Sequence, residues 1–310
     1  MLAHKNVQDW SFGTAGGKWS YWLCAQCKGL YLDPRPNHQS IGRAYGHYYT
    51  HASVQSESGV QSLKLRVKND FWFHIFGIES APRLRVPGWC RGLFKMLQPW
   101  ITVPFGLRQL VDRPKGRLID VGCGNGDTLQ VAEQLGWRAL GIELDAAAVS
   151  AARQRGLTVV EGGYEELAQY QGLADCVVCS HVLEHVHHPL RLLKLLAGAL
   201  KPNGLLIIAA PNASSYLRDH YGEYWRGLEA PRHLAIPDAL WLVDTLRSVG
   251  FACQQEASYD GPMAAESERI KRRGAALTKA DMRAGVLAVR IAKSPTWEKQ
   301  DLVQVVCIKA

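Results

Sequence analysis

Two acids set against a run of glycines, and a later cluster of imidazoles, are the residues best placed to do chemistry in this chain. Asp120-Val121-Gly122-Cys123-Gly124-Asn125-Gly126 ends an apolar run in a carboxylate and then places glycine at every second position. Glycine permits positive φ and lets a ligand come close to the backbone where a Cβ would block it. A second apolar run, 139–142, ends in Glu143, whose carboxylate is positioned to accept hydrogen bonds from ribose hydroxyls. An acid at the strand end disfavours a pyrophosphate and favours a ligand that carries an amino group. Together the two acids fit an aminoacyl-nucleoside. The dinucleotide fingerprint Gly-x-Gly-x-x-Gly has a different spacing.

Further along stands Ser180-His181-Val182-Leu183-Glu184-His185, followed by His187-His188-Pro189. His181, Glu184 and His185 are spaced i, i+3, i+4, so one helical turn puts all three on one face. Such a set suits general base chemistry, with Glu184 orienting His185, or a divalent cation with His233 as a more distant ligand. A packing role for Glu184 and His185 is equally compatible with the spacing, and the metal reading is not the favoured one. A third stretch, Trp225-Arg226-Gly227-Leu228-Glu229-Ala230-Pro231-Arg232-His233-Leu234, suits an acceptor pocket. Trp225 would line it, and Arg226 and Arg232 would grip a phosphate or carboxylate. Surface pairing of those arginines with Glu223 or Glu229 is the plainer alternative.

These residues need a frame. From Gly116 onward the pattern alternates strand and helix, which predicts a parallel sheet covered on both faces. Strands are expected at 118–121, 139–142, 158–160, 175–180, 205–209, 251–256 and 302–308. Helices are expected at 146–155, 190–200 and 237–249, with Lys201-Pro202-Asn203-Gly204 as a turn ahead of the fifth strand. Loops leaving the carboxyl ends of such strands line a common ligand crevice, which would bring the three motifs together.

Three regions follow: 1–52, with Cys24-x-x-Cys27; 53–115, a helical, basic and aromatic cap or linker; and 116–310, the ligand-binding domain. The chain has 310 residues, is 47% hydrophobic and carries a net +8 from 36 basic and 28 acidic residues, which suits a full core and tolerates anionic partners. Its eight cysteines, among them Cys123, Cys176, Cys179 and Cys307, read as reduced thiols of a cytoplasmic protein. Cys24 and Cys27 read as metal-free, because a structural zinc site needs four ligands. No signal peptide or membrane span is expected. The segment 91–110 combines Trp, Phe and Leu with basic residues. A lid over the domain is favoured for it, and contact with a membrane surface is the alternative. The basic stretch 269–293 is expected to be a solvated helix.

The chain resembles class I S-adenosylmethionine-dependent methyltransferases of the type 11/23 group, particularly bacterial members associated with polysaccharide genes. The resemblance rests on Asp120–Gly126, Gly141-Ile142-Glu143, His181–Val186, Lys201–Gly204, Trp225–Glu229 and Pro231–Leu234. A weaker likeness at Cys24-x-x-Cys27 and Leu32-Asp33-Pro34-Arg35-Pro36 matches the second half of an N-terminal ribbon. It implies an α/β, Rossmann-like, seven-stranded, mostly parallel sheet with an antiparallel last strand and helices on both faces, plus an N-terminal, partly helical extension. It further implies S-adenosylmethionine bound by Asp120, Gly122, Gly124, Gly126, Glu143, Leu144, Gly163, Tyr164, Ser180 and His181, with Glu184, His185 and His233 catalytic. The acceptor would be a small molecule or glycan precursor, including a lipid-linked one. Methylation of nucleic acid is disfavoured, since the Pro-Pro-containing motif of amino methyltransferases is missing after the fourth strand. A non-catalytic cofactor-binding module is the remaining alternative.

Overall fold

A computed structural model describes residues 1–45, 59–90, 92, 106–256, 261–272 and 296–310. The chain opens with β1 (Leu2–Val7), β2 (Trp19–Leu23) and β3 (Leu30–Leu32), then helix α1 (Gly59–Phe76) and the short α2 (Leu107–Asp112). The main sheet follows as β4 (Arg117–Val121), β5 (Arg138–Glu143), β6 (Val159–Glu161), β7 (Ala174–Ser180) and β8 (Leu200–Pro211). Helices α3 (Asp127–Gln134), α4 (Ala146–Gln154) and α5 (Pro189–Ala199) alternate with these strands. After α6 (Tyr216–Tyr221) come the two-residue β9 (Ala235–Ile236), α7 (Ala239–Ser248), β10 (Phe251–Glu256), α8 (Gly261–Lys271) and β11 (Leu302–Lys309).

The seven strands lie in the order β10-β11-β8-β7-β4-β5-β6, and β11 runs antiparallel to both its neighbours. The expected sheet and its antiparallel last strand are therefore present. Side chains alternate along the strands, so the sheet feeds two cores, one on each face. On one face Ile119, Val121, Val177, Cys179, Leu206 and Ile208 pack with Leu192 and Leu196 of α5 and Leu242 and Leu246 of α7. On the other, Leu118, Cys176, Val178, Leu205 and Ile207 pack with Leu129 of α3 and Val149 of α4. Each fully buried leucine stabilises the fold by roughly 1.5–3 kcal/mol. Local signals agree with these elements. Asp145 caps α4 by accepting from Ala147 N at 2.9 Å, and Asp238 caps α7 by accepting from Trp241 N at 3.0 Å. Pro189 occupies the first turn of α5.

Three expectations need correction. Lys201–Gly204 does not precede the strand but lies inside it. Leu200 already pairs with Ala174, the ladder slips, Asn203 takes φ 60°, and pairing resumes at Leu205 with Cys176. The described part of the N-terminal region, residues 1–45, does not stand apart either. β1-β2-β3 forms a four-stranded sheet whose last strand is β9, contributed from residues 235–236. Cys307 is not a free thiol: register sets it opposite Cys253 on adjacent antiparallel strands, and the two form a disulfide. Cys24, Cys27, Cys123, Cys176 and Cys179 are free. Most of 91–110 and of 269–293 lies outside the described residues; at 269–272, Arg269 pairs with Glu266 and Arg272 with Glu268 at the end of α8. No described helix is long and apolar enough to cross a membrane.

Candidate functional site

The glycine turn leaves β4 at the middle of the sheet, where strand order reverses and a crevice opens at the carboxyl ends of the strands. Gly122, Gly124 and Gly126 all take positive φ. At Gly122 the reason is spatial as well: a Cβ there would lie 2.5 Å from Val182 Cγ2, so the turn and the His181–His185 segment are in direct contact. Glu143, at the end of β5, accepts from Gly124 N at 2.8 Å and from Asp145 N at 2.9 Å. That locks the turn and fixes the carboxylate beside it. Leu144 next to it is 75% exposed, an apolar surface of the kind an adenine ring would cover. Gly163 opens the 3-10 segment Tyr164–Tyr170 after β6, and Tyr164 is half-buried beside the sheet end.

Asp120 is buried, and among the described residues no ion pair neutralises it. Burial, aided by the nearby Glu143 charge, pushes its carboxyl up to about 8. A carboxylate in that state is short of a cation. A ligand bringing an ammonium to the glycine turn and ribose hydroxyls to Glu143 would supply one, so these residues fit S-adenosylmethionine.

Beyond the turn, His181 takes φ 57° and donates its backbone N–H to Ala209 O at 2.9 Å. The next residues form a single 3-10 turn, Leu183–His185. Glu184 is fully buried. Its Oε1 is 3.1 Å from His181 Nδ1, while Oε2 has no hydrogen-bond partner. Glu184 therefore orients His181 and not His185, as had been expected. Burial alone would raise the Glu184 carboxyl, but the His181 bond and the His185 and His233 rings hold it below its ordinary value. Burial would likewise lower His181, yet Glu184 raises it above the ordinary imidazole range. His185 Nδ1 lies 3.2 Å from Arg232 O and 3.0 Å from the Tyr45 hydroxyl.

His233 comes to the same place from the far loop. Its ring sits edge-on to His185 with centroids 4.7 Å apart, and its Nδ1 lies 2.7 Å from Gly227 O. Burial pushes this imidazole down to about 4 despite the neighbouring Glu229. Glu184, His185 and His233 thus converge: one ligand atom from each falls within 4.8 Å of the others. The trio of His181, Glu184 and His185 seen in the sequence is not the one that closes up; His233 takes the place of His181.

The acceptor-pocket reading of Trp225, Arg226 and Arg232 does not hold. Trp225 is buried and donates Nε1 to Asp301 Oδ1 at 2.7 Å. Arg226 pairs with Glu229 and is nearly buried. Arg232 is wholly buried, forked onto Asp9, with further bonds to Glu229 Oε1 at 3.2 Å and Ala44 O at 2.9 Å. A buried guanidinium must be paired, and Asp9 and Ala44 among these partners come from the N-terminal segment, whose role the sequence did not disclose. Burial alone would raise Glu229, yet His233, Arg226 and His185 hold it down to about 2.

Tyr21 of β2, equally unforeseen, gives its hydroxyl to Leu228 O and to His233 O, the latter at 2.8 Å. It is buried. A Tyr21→Phe variant leaves two buried carbonyls without that donor and should lose about 1–3 kcal/mol in urea unfolding. An unchanged midpoint would show that the N-terminal sheet does not hold this loop.

The sequence matches the methyltransferase-domain family Methyltransf_23 over residues 102–256, half of the chain. The chain belongs to that family, has the class I methyltransferase fold, and takes S-adenosylmethionine as its cofactor. It is 37% identical over 106 residues to a ubiquinone biosynthesis O-methyltransferase of Xanthomonas campestris, covering 32% of this chain and 44% of that protein. It is 32% identical over 107 residues to the protein so named in Histophilus somni, covering 31% and 45%. The chain thus spans less than half the length of these relatives. Among solved structures it is similar to a SAM-dependent methyltransferase from Archaeoglobus fulgidus (17% identity, TM-score 0.47, 69% of this chain and 92% of that one). A second is an S-adenosylmethionine-dependent methyltransferase from Mesorhizobium loti (19%, TM-score 0.45, 66% and 96%).

Proposed function

We propose that this protein transfers the methyl group of S-adenosylmethionine to a hydroxyl oxygen of a small molecule, with a sugar or glycan precursor as the acceptor class. The observation that supports this reading is the contact between the glycine turn and the His181–His185 segment, the segment that carries Glu184 and His185 of the cluster with His233. The sulfonium is already an activated donor, so the protein's work is to hold the acceptor oxygen in line with the S–CH3 bond and to take its proton. As the O–C bond forms, the C–S bond breaks and its electron pair neutralises the sulfur. The half-exposed His181 imidazole, held by Glu184, is the group we assign to the proton.

Oxygen as acceptor accords with the printed name of the matched relatives. Labelled S-adenosylmethionine screened against lipid-linked, nucleotide-linked and free sugars, read by mass spectrometry, tests the reading. A labelled O-methyl sugar is the expected product. Absence of saturable S-adenosylhomocysteine binding, or label found on nucleic acid alone, would sink it.

A further inference from the structure

We infer that Glu184, His185 and His233 form a binding site for one divalent transition-metal ion of the zinc type, open toward the acceptor. Among the described residues they are the one group of three or more His, Cys, Asp or Glu side chains whose ligand atoms lie within 4.8 Å of one another. Two imidazoles and one carboxylate are the donor set of open, catalytic zinc sites, in which the remaining position is left for water or substrate. The same set serves iron(II), cobalt and manganese better than magnesium or calcium. An ion about 2.0 Å from each donor in a tetrahedral arrangement sets the donors roughly 3.3 Å apart, so at most about 1.5 Å of closure is needed.

Two further observations point the same way. Glu184 is fully buried, yet its Oε2 has no hydrogen-bond partner while Oε1 is bonded to His181. An unpartnered carboxylate oxygen in the interior is costly, and a cation satisfies it. The His181 bond is the outer support that ligating carboxylates commonly have. In addition, the Nδ1 atoms of both imidazoles lie against backbone carbonyls, His233 against Gly227 O at 2.7 Å and His185 against Arg232 O at 3.2 Å. An Nδ1–H donated outward to such a carbonyl is the usual arrangement of metal-bound histidine and leaves Nε2 as the ligand atom. The Tyr45 hydroxyl also lies 3.0 Å from His185 Nδ1, and His233 Nε2 is 3.7 Å from Glu229 Oε2.

The role of the ion rests on the methyl-transfer reading, although its binding does not. A hydroxyl on the ion would lose its proton more readily, the oxygen lone pair would form the O–CH3 bond, and the proton would leave to the base or to solvent. The test begins by removing the competing thiols, since Cys24 and Cys27 are free and partly exposed. Metal-stripped Cys24→Ser/Cys27→Ser protein is titrated with zinc chloride by calorimetry, and with cobalt chloride by absorption spectroscopy.

One equivalent of each is expected, with cobalt showing d–d bands and no thiolate charge transfer. In the same background, Glu184→Gln and His233→Ala should each weaken zinc binding on the order of 100-fold. Their folding is checked by thermal melts and S-adenosylhomocysteine binding. No saturable binding in the Cys24→Ser/Cys27→Ser protein overturns the inference, as does binding that both folded variants leave unchanged. Zinc binding without S-adenosylhomocysteine binding would leave this site standing and remove the proposed function; the reverse result would remove this site alone.

Discussion

An Arg232→Ala variant is expected to lose about 3–5 kcal/mol of stability, the cost of breaking a buried ion pair from one side. Arg232 is fully buried, and its guanidinium is shared among Asp9, Glu229 and Ala44 O. Asp9 in turn accepts from Thr14 N at 2.9 Å, Ala15 N at 3.1 Å and Phe12 N at 3.2 Å, so one carboxylate organises the loop after β1. Removing the arginine leaves that carboxylate and Glu229 buried without their shared cation. In a protein of this size the loss corresponds to a melting-temperature drop of roughly 10 °C.

Arg232→Lys should not rescue it, because a single ammonium cannot replace the planar fork across three partners. Asp9→Ala should cost less when Arg232 is already replaced, giving a coupling of about 2 kcal/mol or more in a double-mutant cycle. Methyl transfer should fall along with stability, since Arg232 O positions His185 and the adjacent residue is His233. A variant that melts within about 2 °C of the parent but fails on anionic acceptors would restore the pocket role for Arg232 and refute this account.

The contrast between Arg232 and Glu143 shows where sequence stops being legible. Glu143 lies a helix and a strand from the glycines it serves, and the spacing of a βαβ unit is fixed by helix and strand geometry. Its place therefore follows from local pattern, as do all seven strands of the sheet. Arg232 pairs with a residue more than two hundred positions away, in a segment with no periodicity of its own. Nothing local distinguishes an arginine that grips a substrate from one that grips Asp9. The same limit explains Tyr21 and Tyr45, which reach this region from the N-terminal segment. It also explains β9, whose two residues carry no strand signal and pair only because β3 is there to receive them. His233 is intermediate: its residue type was suggestive, but only the loop's path shows that it, and not His181, closes on Glu184 and His185. Cys307 was misjudged because redox compartment argued for a thiol, while strand register, invisible in the sequence, set Cys253 opposite it.

Cofactor affinity is expected to rise steeply with pH between about 6 and 7.5, and Asp120 is the reason. Its carboxyl is raised from the ordinary 3.8 to about 8 by burial and by Glu143. Between those values the folded chain holds a proton that the unfolded chain has released. On its own, then, this group makes stability fall as pH climbs from about 4 to about 8. Binding works in the opposite direction. A ligand ammonium at the glycine turn favours the ionised carboxylate and pulls its pKa down, so binding near neutral pH must expel a proton.

The expected slope is close to tenfold in affinity per pH unit, and the window stays below about 7.7–8.0, where an α-amino group itself titrates. Calorimetry with S-adenosylhomocysteine in two buffers of different ionisation enthalpy reads both the slope and the released proton. Asp120→Asn, which cannot ionise, should bind with little dependence on pH in this window and more weakly than the parent at its upper end. If the parent shows a flat profile, Asp120 is not protonated before binding. If the asparagine variant keeps the slope, the proton belongs to another group, and the assignment of Asp120 to the cofactor's amino group fails with it.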